Sequence, residues 1–221
     1  MDISEAREPT IVTSEPAAGL PDGVQLWLVR HGETEWSRSG QHTSRTELPL
    51  TPAGEEQARA LRAMLGELRP ALVLSSPRRR AVHTAELAGI PVDDVDADLV
   101  EWDYGDYEGR TSEQVRSERP GWSLWTDGAP NGEIAEQVGA RADRVLARAA
   151  GSLASGPVLL FSHGHLSRVL VARWIGLAVS AGRNFLLGTA APSVLSTQYG
   201  VPVVDRWNLP LVAERSPAAA S

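Results

Sequence analysis

Val24-Gln-Leu-Trp-Leu-Val-Arg-His-Gly-Glu-Thr34 reads as a strand that runs directly into reactive side chains. Its first six residues are nearly all apolar and too few for a helix. That is the pattern of a strand buried on both faces of a parallel sheet. A cation, an imidazole and a glycine follow at once, and a sheet needs none of them. Two further runs have the same form. Ala71-Leu-Val-Leu74 ends in Ser75-Ser-Pro-Arg-Arg-Arg80, and Pro157-Val-Leu-Leu-Phe161 ends in Ser162-His-Gly-His165.

Helical patterns lie between and after these runs. Thr51 to Arg69 places Ala58, Leu61, Met64, Leu65 and Leu68 at i, i+3, i+4 spacing, with Thr51-Pro52 as cap and first-turn proline. Pro77 to Ala88, Glu133 to Ala154 and Leu166 to Leu177 also read as helices. Alternating strands and helices predict an α/β fold, a three-layer α/β/α sandwich with a mostly parallel central sheet. Val194 to Tyr199 and Val203 to Trp207 are expected to add a terminal hairpin. The region 90–132, rich in Asp, Gly, Trp and Pro, is expected to be an irregular lid or insert.

The chain has 221 residues and no linker-like stretch, so one domain is expected over 23–212. Residues 1–22 and 213–221 are polar, small and proline-containing, and are expected to be disordered. There is no cysteine, which excludes disulfides and thiolate chemistry. The formal charge of −7 argues against a nucleic-acid-binding surface. The N-terminus does not read as a signal peptide, and no run approaches the ~20 apolar residues of a membrane span. A cytoplasmic protein is expected; the sequence leaves the oligomeric state open, a homodimer among the possibilities.

In an open α/β sheet, ligands bind beyond the carboxyl ends of the strands. His31, His163 and the arginines at 30 and 78–80 should therefore meet in one crevice. Arginine forks and helix N-termini both favour anions, so the crevice should hold phosphate. Arg78 and Arg79 are expected to point away, because residues one or two apart do not share a helix face with Arg80.

Leu28-Val-Arg-His-Gly-Glu-Thr34 resembles the defining motif of the histidine phosphatase superfamily, the phosphoglycerate-mutase-like proteins. The resemblance continues in order through Leu48-Pro-Leu-Thr-Pro-Ala-Gly54, Ser76-Pro77 with Arg80-Ala81 and Thr84-Ala85, Glu101 with Tyr104-Gly105 and Glu108-Gly109, and Ser162-His-Gly164. It implies His31 as nucleophile, Arg30 and Arg80 on the phosphoryl oxygens, His163 as a further stabiliser, and Glu101 as acid/base with Asp103 as its competitor. Substrate would lie against Ser37, Gln41, His42, Thr43 and Gly164, with Tyr104 and Tyr107 opposite.

Ser37 stands where the family commonly has Asn, and Thr43-Ser44 where mutases often have Thr-Gly. The mutases' Lys is missing from Gly109-Arg-Thr-Ser112, and the stretch from Glu101 to His163 is too short for their Arg-bearing insert. These departures favour water as acceptor, and so a phosphatase. Trp36-Ser-Arg-Ser-Gly-Gln-His-Thr43 and Glu101-Trp-Asp-Tyr-Gly-Asp-Tyr-Glu-Gly109 are similar to two branches, the actinobacterial broad-specificity acid phosphatases and the fungal sedoheptulose-1,7-bisphosphatases. The expected activity is hydrolysis of small phosphorylated metabolites, chiefly sugar phosphates, with fairly broad specificity. A specific sugar bisphosphatase is the alternative, followed by a phosphoglycerate mutase or a metal-dependent hydrolase. No cofactor is expected. A metal centre on His163-Gly-His165 lacks further ligands at suitable spacing, and a binding module without activity is disfavoured by the filled catalytic positions.

Overall fold

The computed structural model of the chain describes residues 17 and 19–211. In chain order the elements are β1 (Leu26–Arg30), α1 (Glu35–Ser39), α2 (Pro52–Ala60), α3 (Arg62–Leu65), β2 (Leu72–Ser75), α4 (Arg79–Leu87), β3 (Asp94–Val95), α5 (Ser112–Glu118), α6 (Leu124–Asp127), α7 (Ala135–Leu153), β4 (Val158–Ser162), α8 (Gly164–Trp174), β5 (Pro192–Gln198) and β6 (Val201–Arg206). Short 3₁₀ turns lie at Ala97–Leu99, Gly105–Tyr107 and Val179–Asn184.

The strands form one six-stranded sheet in the order β3-β2-β4-β1-β5-β6. The first four are mutually parallel, and β5 and β6 form the expected antiparallel hairpin against β1. Strand pleating divides the core between the two faces. Leu26, Leu28, Leu74 and Leu160 pack with Val138, Leu146 and Leu170 of α7 and α8. Trp27, Val29, Val73, Leu159 and Phe161 pack on the other face with Leu61, Leu65 and Ala85 of the α2–α4 layer. Each such side chain contributes about 1.5–3 kcal/mol on burial, so the sheet is held from both sides as a three-layer sandwich.

Register positions the site. Arg30 pairs with Ser162 across β1 and β4, and Ser75 pairs with Phe161 across β2 and β4. All three strands therefore stop at one level, and the residues after them emerge side by side.

Several elements differ from their sequence expectation. The helix expected over 51–69 breaks at Leu61 into α2 and α3. The region 90–132 is not an irregular lid. It folds into β3, two 3₁₀ turns, α5 and α6, and buries Leu99, Trp102, Val115, Trp122 and Trp125 against the main core. Elements this short lack room for a hydrophobic period, so composition alone read them as loop. The expected N-terminal boundary falls inside packed structure. Ala17 is buried, and the Asp22 carboxylate accepts the backbone N–H groups of Tyr199 and Gly200 in the β5–β6 turn. The rest of the expected terminal segments, 1–16, 18 and 213–221, lies outside the described residues. Among the described residues, no helix is long and apolar enough to cross a membrane.

Candidate active site

His31 continues β1. Its backbone N–H donates to the Ser162 carbonyl at 3.0 Å, which seats it beside the end of β4. Its ring Nδ1 lies 2.8 Å from the Gly32 carbonyl. A carbonyl only accepts, so Nδ1 carries the proton and Nε2 keeps its lone pair. The His163 ring stands edge-on to it, with centroids 5.2 Å apart. His163 Nε2 lies 2.7 Å from Ser76 Oγ, which already accepts the Arg78 N–H at 3.3 Å. A Ser76 hydroxyl that donates to Nε2 places the ring proton on His163 Nδ1, which has no partner and is then free to donate to an anion.

Both imidazoles are held neutral. Burial pushes the His31 pKa well below its usual value, and the positive charges of Arg80 and Arg30 push it further. Burial does the same at His163, reinforced by Arg80, His31, Arg30 and Arg78.

Arg30 and Arg80 are anchored by their ends. Arg30 Nη1 donates to the Leu187 carbonyl at 2.7 Å, and its guanidinium lies close to Gly164 at the start of α8. A Cβ at Gly164 would come within 3.2 Å of Arg30 Cζ and Nε, so any larger residue there would have to displace the guanidinium slightly. The Arg80 side chain is fully buried and donates to the carbonyls of Thr43, Ser44 and Thr46 at 3.0–3.2 Å. Glu108 shapes that loop by accepting from Ser44 N, Ser44 Oγ and Thr46 N. After these bonds Arg30 Nε and Arg80 Nε have no partner, although both are buried. With His163 Nδ1 they make three orphaned donors. Leaving a buried donor unmet costs about 1–3 kcal/mol each, so the arrangement favours an anion with several oxygens.

Glu101 sits opposite. Oε1 accepts the N–H groups of Trp102 and Leu166, and Oε2 that of His165, all at 2.9 Å. Two of those donors belong to the first turn of α8, where a carboxylate is favoured. Asp103 does not compete for this position. It lies outside the cleft, accepting from Gly105 N and pairing with Arg45.

A cleft of about 310 Å³ opens from His31. Ser37, Gln41, His42, Thr43, Tyr104 and Gly164 line it together with Arg30, His31 and Glu101. Arg80 and His163 are buried behind this lining, the His163 ring against His31 and the Arg80 charge close enough to lower the pKa of both histidines. Tyr107 is turned away and packs edge-on to Trp122. Arg79 is exposed and, like Arg78, does not line the cleft, although the reason for Arg78 is not the one expected. Arg78 caps α4 instead of joining it, pairs with Glu47 at 3.2 Å, and stays close enough to depress the His163 pKa. The helix-face argument did not apply to a residue outside the helix.

His42 and His165 also belong to the wall. Tyr104 Oη and His165 Nδ1 share a 2.7 Å hydrogen bond, and Tyr104 stacks on His42 at 4.5 Å. Burial lowers the His42 pKa to about 4 and drives that of His165 well below its usual value. Arg168, Ser112 and Leu187 line the cleft as well, and the sequence reading did not single them out. Arg168 had a usable signal, since it lies three residues beyond His165 on a helix that was foreseen. Among the described residues, no three His, Cys, Asp or Glu side chains gather as a metal site would require.

Residues 26–210 match the family described as the histidine phosphatase superfamily, branch 1. An acid phosphatase of Mycobacterium tuberculosis is 45% identical over 179 residues, covering 80% of this chain and 88% of that protein. The sedoheptulose 1,7-bisphosphatase of Saccharomyces cerevisiae is 40% identical over 188 residues, covering 69% of this chain and 68% of that protein. The solved structure of an open reading frame product from M. tuberculosis superimposes with a TM-score of 0.83 at 43% identity, covering 86% of this chain and 100% of that one. With the paired histidines and orphaned donors at the strand ends, these matches establish that the chain belongs to the histidine phosphatase superfamily.

Proposed function

We propose that the chain is a phosphomonoesterase that hydrolyses small phosphorylated metabolites, chiefly sugar phosphates, through a phosphohistidine on His31. The observation that carries this reading is a set of buried nitrogens without partners, Arg30 Nε, Arg80 Nε and His163 Nδ1, on residues that neighbour an imidazole whose Nδ1 is engaged by a backbone carbonyl.

In the first step, His31 Nε2 attacks phosphorus and the bond to the ester oxygen breaks. The orphaned donors meet the charge on the equatorial oxygens, and they are preorganised by bonds to backbone carbonyls. The leaving alkoxide takes a proton from Glu101. In the second step, Glu101 takes a proton from water, whose oxygen attacks the phosphohistidine; the N–P bond breaks and inorganic phosphate leaves.

Water is the favoured acceptor because the segment between Glu101 and His163 supplies no cationic lid. Arg110 pairs with Glu118, Arg116 donates to the Trp122 carbonyl, and Arg119 pairs with Asp127. None of the three lines the cleft. A cleft of about 310 Å³ lies at the small end of ligand pockets. Hydroxyl and amide groups of Ser37, Gln41, Ser112 and Tyr104 suit a polyol. The similarity to an acid phosphatase and a sugar bisphosphatase supports the same substrate class.

Phosphate release from p-nitrophenyl phosphate and a panel of sugar phosphates tests this, alongside interconversion of 3- and 2-phosphoglycerate. Release that persists in EDTA and is lost in His31→Ala is expected. Rapid interconversion with little phosphate release would overturn the hydrolase reading.

A further inference from the structure

Glu101 lies in a segment whose backbone is gripped by one ion pair, Arg141 with Glu133. Arg141 is a buried residue of α7. Its Nε and Nη2 donate to the two carboxylate oxygens of Glu133, both at 2.7 Å. Nη1 donates to the carbonyls of Asp98 and Val100 at 2.7 and 3.0 Å, and Nη2 also to that of Glu101 at 3.4 Å. All five N–H donors of the guanidinium are thereby used. Glu133 grips the segment beyond Glu101. Its Oε2 accepts the Asp103 N–H and its own N–H donates to the Asp103 carbonyl, both at 2.9 Å. Its carbonyl accepts the indole N–H of Trp102, also at 2.9 Å. The main chain is therefore held on both sides of Glu101, while the first turn of α8 holds the carboxylate itself.

Stability alone does not call for this pair. The cost of burying two charges largely offsets their attraction, and apolar residues of like volume often serve as well. Other arginines of α7 make the contrast. Arg144 binds the Asp98 carboxylate, and Arg148 those of Asp94 and Asp96, from exposed positions where ion pairs contribute little. They hold side chains, whereas Arg141 holds the carbonyls around the residue that must meet the substrate. Glu101 has to reach the ester oxygen in the first step and water in the second, and a misplacement of about 1 Å can cost about 100-fold in rate.

We propose that Arg141 and Glu133 are positioning residues that aim the Glu101 carboxyl at the ester oxygen. The proposal rests on the phosphomonoesterase reading, in which Glu101 gives the leaving alkoxide its proton.

Substrates with leaving groups of different basicity test it. p-Nitrophenolate departs as a stable anion and needs little help from an acid, whereas the alkoxide of glycerol 3-phosphate needs a proton. kcat/KM is measured for both substrates in each variant, and the ratio of the two values is compared with that of the unaltered protein. The folded fraction cancels in this ratio, so a merely structural loss does not move it. Glu101→Gln sets the scale, and should shift the ratio by about 100-fold or more towards p-nitrophenyl phosphate. Arg141→Lys keeps a charge opposite Glu133 but cannot span the carbonyls. It should shift the ratio in the same direction by about 10-fold or more. Should Arg141→Lys fail to fold, Arg141→Met combined with Glu133→Leu replaces the pair by apolar residues, leaves no unpaired charge, and should give the same shift. A ratio unchanged in these variants beside a shifted one in Glu101→Gln overturns the proposal and leaves the role of Glu101 standing. A ratio unchanged in Glu101→Gln removes that role, and the positioning of Glu101 with it.

Discussion

The Nδ1–H of His31 is engaged by the Gly32 carbonyl 2.8 Å away, so proton and lone pair are sorted before any substrate arrives. Burial and two arginines then keep the ring neutral well below its ordinary titration range. The acid limb of kcat/KM should accordingly fall below pH ~6.5, the ordinary imidazole value. A limb at that value or above would count against His31 as a depressed, neutral nucleophile. His163 is assigned its donor through Ser76. Ser76→Ala removes the hydroxyl that satisfies Nε2, so either ring nitrogen can then hold the proton. A loss in kcat of about 10-fold or more is expected, with little change in folding. Stopped-flow or steady-state kinetics would show it, and unchanged kcat would contradict the tautomer assignment. At this scale the sequence was informative where a motif residue directly follows a strand, as at His31 and His163. It was silent on Ser76 as a partner of His163, because that contact joins elements distant in the chain.

The sheet and the first turns of the helices hold these groups in place. The motif blocks at 28–34 and 48–54 occur together because their backbones touch. A Cβ on Gly54 would lie 2.1 Å from the Glu33 carbonyl oxygen, and one on Gly32 would lie 2.4 Å from that of Gly54. Thr51 N–H also donates to the Glu33 carbonyl at 2.9 Å. Gly54→Ala should therefore cost about 1–3 kcal/mol of stability by overpacking, read as a lowered midpoint in urea. Gly164→Ala is a different probe. It should leave the fold intact and push the Arg30 guanidinium aside, raising KM by about 10-fold. A wild-type KM in that variant would show that Arg30 does not work from its place over α8. The long, periodic elements were legible: β1, β2 and β4, the hairpin, α4, α7 and α8 all fall within a few residues of expectation. The break at Leu61 and the small elements of 90–132 were not, since tertiary packing and not local period decides them.

Across the whole molecule, three buried histidines, His31, His42 and His163, and the half-buried His165 are held neutral. Their folded pKa values lie below the unfolded value of ~6.5, so between the two the unfolded chain binds more protons. Stability must then fall as pH drops below ~6.5, by up to about 1.4 kcal/mol per pH unit for each group. Thermal melts at pH 7 and pH 5 should show a lower Tm in acid, and inorganic phosphate should raise Tm by binding the orphaned donors. A Tm insensitive to both would mean that the imidazoles are not buried as described. The enzyme is mixed with a phosphomonoester labelled in its phosphoryl group, quenched in alkali within a turnover, digested, and its peptides are read by mass spectrometry. Label is expected on the peptide containing His31, at the imidazole, and none in His31→Ala. Label on another residue, or rapid hydrolysis with no labelled peptide and inversion at phosphorus, would contradict a covalent intermediate on His31.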